Sequence, residues 1–217
     1  MDTTDATGDA IRGAAEPLGA LLAHPGVEEQ VEIRSRFGFM AFHGGRLEER
    51  TDVVASLAAT LAGASYYAIL HPADAPHLPS IAFRPAASPG LARFLDHVEV
   101  VVTVHGYGRE GMWTSLLAGG SNRPLAAHVA THLRTALPDY EVLDDLDAIP
   151  DGLRGLHADN PVNLPPGGGV QLELPPRVRG TSPLSPPPDR DGLSAPTRAL
   201  AVALARAAAE WPLALTS

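Results

Sequence analysis

The sequence predicts an α/β fold, a mixed and mostly parallel central sheet flanked by helices. Three observations carry that reading. Short apolar runs alternate with stretches of helical periodicity, the order that builds strand–helix–strand units. Residues 98–104 are a nearly continuous β-branched run, which belongs in the middle of a sheet covered on both faces. Two apolar runs end in the same dipeptide, His43-Gly44 and His105-Gly106. Open α/β sheets present their reactive groups just past the carboxyl ends of strands.

Taken in order, residues 1–10 read as a flexible tail and residues 11–217 as one α/β domain. Residues 10–22 suit a short helix that ends near the Pro25-Gly26 break. Residues 31–35 alternate apolar and polar, as a half-buried strand does, and are expected to pair with the apolar strand 37–42 across a short turn. Gly44 and Gly45 then supply a tight turn, and Glu48 opens the next helix. Residues 50–63 carry a buried stripe at helical spacing through Val53, Val54, Leu57, Ala58 and Leu61, with Gly63 as the stop. A short strand follows at 66–70. The segment 71–89 is irregular and proline-rich, with a brief strand at 81–83. Ser88 caps a helix running to about residue 97.

After the central strand, residues 112–117 read as a strand, 122–137 as a helix and 140–143 as a short strand. Residues 160–169 form a rigid and then permissive loop that feeds a strand at 170–174. Residues 175–188 cross irregularly. Residues 195–211 form an amphipathic helix stopped by Pro212.

The chain has 217 residues, no cysteine and a formal charge of -9, with no cluster of Lys and Arg. Disulfides, thiolate catalysis and Cys-type zinc are excluded, and nucleic acid is not the expected partner. No apolar run approaches membrane-spanning length and no signal-peptide pattern opens the sequence, so a cytoplasmic protein without a membrane partner is expected.

His43, Glu48 and His105 would give two imidazoles and a carboxylate, a zinc ligand set that leaves a fourth position for water. Glu173, with Gln171 two residues before it on the same strand face, would be a second carboxylate free to act on that water. On the residues alone, Glu48 equally suits the electrostatics of a helix start, and Glu173 a solvent-facing strand position. His24, His71, His77, His128, His132 and His157 lack the strand-end setting. His128 and His132, one helical turn apart, read as a solvated face.

Three motifs in register resemble the poly-γ-glutamate hydrolase family: His43-Gly44-Gly45 with Glu48, His105-Gly106-Tyr107, and the run from Gly168 through Gln171 and Glu173 to Arg177 and Arg179. Asn160-Pro161-Val162-Asn163 is similar to that family's Asn-containing segment. The resemblance spans about residues 37–179. It implies a fold related to carboxypeptidase A-like zinc peptidases and one Zn2+ per chain on His43, Glu48 and His105. It further implies Glu173 as general base and then acid. Arg179, Arg177, Asn160, Asn163 and Tyr107 become candidates for binding a γ-glutamyl or other amide substrate. Two departures stand out. Leu164 occupies a place that is usually basic in the family, and the region around Ile81 lacks the His/Thr/Ser-rich strand expected there.

Overall fold

The computed structural model describes residues 17–213; the tail expected at 1–10 and the first part of the helix expected at 10–22 lie outside them. Seven strands form one sheet, in the spatial order β1 (Glu28–Glu32), β3 (Ala64–His71), β2 (Ser35–Gly45), β4 (Val100–Gly106), β7 (Gly169–Leu174), β5 (Ser115–Ala118) and β6 (Glu141–Leu143). The pairs β2/β3, β2/β4, β4/β7 and β5/β6 are parallel, whereas β1/β3 and β5/β7 are antiparallel. The mixed, mostly parallel sheet is therefore as expected, and the β-branched run of β4 is its middle strand.

Among the described residues six α-helices cover the sheet: α1 (Pro17–Leu22), α2 (Thr51–Ala62), α3 (Pro89–His97), α4 (Arg123–Ala136), the single turn α5 (Pro176–Arg179) and α6 (Ala195–Glu210). Period-two alternation along the strands decides what each face buries. Phe37, Phe39, Val102, Val104 and Leu172 pack with Val54 of α2, Leu125 and Val129 of α4, and Leu200 and Leu204 of α6. Met40, Phe42, Tyr67 and Val101 face the other way, onto Leu18 and Leu21 of α1, Leu91 and Phe94 of α3, and Phe83. His105, Gln171 and Glu173 fall between the first set and so share the second face. α3 starts where Ser88 predicts, its hydroxyl accepting the Leu91 N–H at 2.9 Å.

The connections explain where a site forms. From β2 the chain goes through α2 to β3 on one side, then returns through α3 to β4 on the other side of β2. Strand order reverses at the β2/β4 boundary, and the crevice beyond the carboxyl ends of such strands is where α/β sheets take ligands. His43 and His105 end those two strands.

Three local expectations are corrected. The first strand lies at Glu28–Glu32 and pairs with β3 rather than β2. Ile33 and Arg34 offer no left-handed turn residue for a tight hairpin, so β1 goes to the outer edge instead. Residues 81–83 are not a strand: Ser80–Ala82 is a 3-10 turn, bracketed by Pro79 and Pro85, which lock φ and withhold ladder donors. Glu48 does not open a helix; it lies in the turn before α2, which begins at Thr51. Among the described residues no helix is long and apolar enough to cross a membrane.

Candidate metal centre

The end of β2 is shaped to aim His43. Ala41 pairs with Ala68 of β3 but Gly44 with Leu70, so three steps on β2 oppose two on β3. Such a bulge re-aims the side chain within it. Gly45 then adopts φ +70°, and a Cβ there would stand 2.6 Å from the His71 carbonyl oxygen, so only glycine lets β2 close against β3. The turn is pinned by its own backbone, with the Glu48 N–H donating to the His43 carbonyl at 2.7 Å and the Thr51 N–H and hydroxyl donating to the Glu48 carbonyl.

This brings the Glu48 carboxylate between the two imidazoles. Glu48 Oε1 lies 2.8 Å from His43 Nδ1, and Oε2 lies 3.4 Å from His105 Nδ1 while accepting the Gly106 N–H at 2.7 Å. His43 Nε2 donates to the Leu78 carbonyl at 2.8 Å, which fixes its proton on that nitrogen. A neutral His43 therefore turns an acceptor, Nδ1, toward another acceptor, Glu48 Oε1. Two acceptors that close are compatible only with a shared proton or a cation, and two nitrogens with a carboxylate are a zinc donor set. The residues fit a divalent metal.

Charge at the cluster is coupled accordingly. Burial alone would raise the Glu48 carboxyl, yet hydrogen bonds and charge from His105 and His43 hold it well below the carboxylate range. Burial alone would lower His105, but Glu48, with a contribution from Glu173, raises it. His105 is buried and its Nε2 has no hydrogen-bond partner among the described residues.

The structure adds a residue that sequence reasoning passed over. The donor atoms of His43, Glu48 and His77 all lie within 4.8 Å of one another, and the His43 and His77 rings are 4.7 Å apart. His71, also set aside, is the last residue of β3, with its Nε2 donating to the Phe42 carbonyl at 2.8 Å. His71 directly follows the strand expected at 66–70, as His43 follows 37–42, but Pro72 rather than a glycine comes after it; nothing in the irregular run around His77 signalled its approach.

Glu173 stands directly across from His105 in the β4/β7 register and is buried. Burial pushes its carboxyl up to about 7 and Glu48 adds to this, against the pull of His105, Gln171 and Arg179. A hydrogen-bonded relay holds it: Asn160 Nδ2 donates to Gln171 Oε1 at 2.8 Å, and Gln171 Nε2 donates to Glu173 Oε1 at 2.9 Å.

The two arginines part company. Arg179 is buried against the end of β4, where a Cβ on Gly106 would stand 2.8 Å from its guanidinium carbon; it donates to the Glu49 and Leu174 carbonyls. Its charge acts on Glu48 and Glu173. Arg177 instead lines a separate apolar depression with Trp113, Pro183 and Leu184. Asn163 spends its amide on the Ser121 N–H and the Gly155 and His157 carbonyls, and the Tyr107 hydroxyl is buried on the Ser115 carbonyl at 2.6 Å. The groups of Asn160, Asn163 and Tyr107 are thus occupied within the protein.

A pH dependence follows for chelator-treated protein. The folded Glu173 keeps its proton from its ordinary value of 4.5 up to about 7, where the unfolded chain has already lost it. The folded state binds more protons there, so stability falls as pH rises, on the order of 3 kcal/mol in full. His105, raised above 6.5, acts in the same direction: its contribution is present below 6.5 and lost as pH rises through its folded value. Glu48 acts oppositely, and only at acidic pH, below its ordinary 4.5. Thermal unfolding in chelator is expected to give a higher midpoint at pH 5 than at pH 8, with the difference reduced in Glu173→Gln. A midpoint that rises over that interval contradicts this charge assignment.

Comparison with known proteins agrees with this architecture. The family model described as poly-gamma-glutamate hydrolase matches residues 21–182. Two solved structures are similar over most of the chain. One is a bacteriophage poly-gamma-glutamate hydrolase, 21% identical, with a TM-score of 0.70 over 85% of this chain and 88% of that one. The other is YNDL in its zinc-free apo form, 21% identical, with a TM-score of 0.68 over 83% and 88%. No curated protein matches the sequence.

Proposed function

The chain belongs to the poly-γ-glutamate hydrolase family, and from that membership we propose a zinc-dependent amide hydrolase that cleaves γ-glutamyl bonds. The observation that carries the reading is Glu173, a buried carboxyl lifted to about 7 and set across from His105 beside the His43–Glu48 pair. A general base works best with a pKa near the operating pH.

His43, Glu48 and His105 would hold one zinc, which supplies Lewis acidity that lowers the pKa of a water and polarises a carbonyl. Glu173 accepts the proton of the attacking water and delivers it to the leaving nitrogen. Gln171, itself held by Asn160, keeps the Glu173 carboxyl oriented through both transfers. Arg179, whose charge is felt by Glu48 and Glu173, would supply a fixed positive charge beside the reacting groups. Asn160 and Asn163 act as positioning residues for the loop and for Gln171, and Tyr107 anchors the β4–β5 connection.

Substrate recognition is local. A formal charge of -9 does not draw a polyanion from a distance, so the metal and nearby cations must do so. Leu164, in the usually basic place, is exposed in a depression that Arg84 and Asp159 also line, so no net positive charge replaces a basic residue there. Purified protein loaded with zinc should release shorter chains from poly-γ-glutamate and stop when chelated. Turnover of other amides with no cleavage of the polymer would transfer the reading to a different amide substrate. No hydrolysis of any amide would favour a non-catalytic binding protein.

A further inference from the structure

We propose that His77 is an exchangeable fourth metal ligand, which completes the coordination shell in the resting protein and withdraws to admit water and substrate. The inference rests on the metal-centre reading above and extends it to the segment between β3 and α3.

Three observations carry it. The donor atom of His77 lies within 4.8 Å of those of both His43 and Glu48, close enough for a side-chain rotation to bring all three onto one ion. The neighbouring Leu78 carbonyl accepts the His43 Nε2 proton at 2.8 Å, so one dipeptide both orients a ligand and delivers another donor. Finally, the donors differ in how they are held. His43 and His105 are buried at the ends of packed strands, whereas His77 is exposed on a connection outside the sheet, among Pro72, Pro76 and Pro79.

The chemistry gives that difference a meaning. A zinc with four protein donors is closed and structural, whereas a catalytic zinc has three and an open position. His43, Glu48 and His105 already make three. A fourth ligand, the His77 imidazole, that is solvent-exposed and carried outside the sheet can occupy the open position and also leave it. The buried histidines cannot move without unpacking β2 or β4.

The test uses cobalt as a spectroscopic stand-in for zinc, on wild type, His77→Ala and His43→Ala. Visible absorption reports the coordination number, and chelator competition reports affinity. Wild type should show the intense bands of four-coordinate cobalt. His77→Ala should still bind one cobalt per chain, about tenfold more weakly, with the fainter bands of higher coordination, and free imidazole should restore the wild-type spectrum. Being exposed, His77 can be truncated without opening the core. Identical spectra and affinities for wild type and His77→Ala would overturn the proposal while leaving the three-ligand site intact. If His43→Ala also binds cobalt like wild type, the metal-centre reading itself fails, and the His77 proposal with it.

Discussion

Glu173→Gln is expected to retain the metal and the fold and to lose amide hydrolysis by about 10²- to 10⁴-fold, the usual contribution of a general acid–base. The substitution is nearly isosteric and leaves an amide oxygen to accept from Gln171, so the relay from Asn160 survives. What disappears is the proton acceptor that the sheet places directly across from His105. Its burial and its rise to about 7 would stop mattering to the rate. Steady-state kinetics and metal content, measured on the same preparation, separate the cases. Lost turnover with full metal supports the base assignment, whereas unchanged turnover removes it.

His105→Ala is expected to weaken metal binding by more than about 100-fold, well beyond the effect of His77→Ala. Removing a group that merely supports a ligand costs 10- to 100-fold in affinity, and losing a preorganised ligand costs more. His105 is enclosed, fixed by the middle strand of the sheet and aimed by Nδ1 at the Glu48 oxygen that also holds the Gly106 N–H. His77 has none of that support. Competition with a chelator of known affinity ranks the two variants. If His77→Ala proves the weaker binder, the tight cluster of His43, Glu48 and His77 is the primary ligand set instead.

The part of this centre legible in the sequence was the part written into strand ends. A histidine followed by glycine after an apolar run marks a strand that stops and turns, and two such places met because β2 and β4 are neighbours at the reversal of strand order. Glu173 was legible for the same reason, since alternation along β7 fixes its face together with that of Gln171. Pairing between distant segments was not legible. Nothing local to residues 28–35 says that β1 will join β3, since that choice depends on which edge the completed sheet leaves open. His77 was invisible because its approach depends on the path of a proline-rich connection without periodicity. Hydrogen bonds inside the protein were not legible either: Asn160, Asn163 and Tyr107 all find partners among backbone groups or Gln171. Between Arg177 and Arg179 only the short helix α5 decides, by turning one toward the cluster and the other away.

The most direct test of the central claim is elemental analysis of the purified protein, wild type beside His43→Ala. Wild type is expected to carry about one zinc per chain and the variant none, since His43 contributes Nδ1 to the cluster and is itself locked by Leu78. A wild-type protein without stoichiometric metal, even after zinc is added back, would contradict that claim.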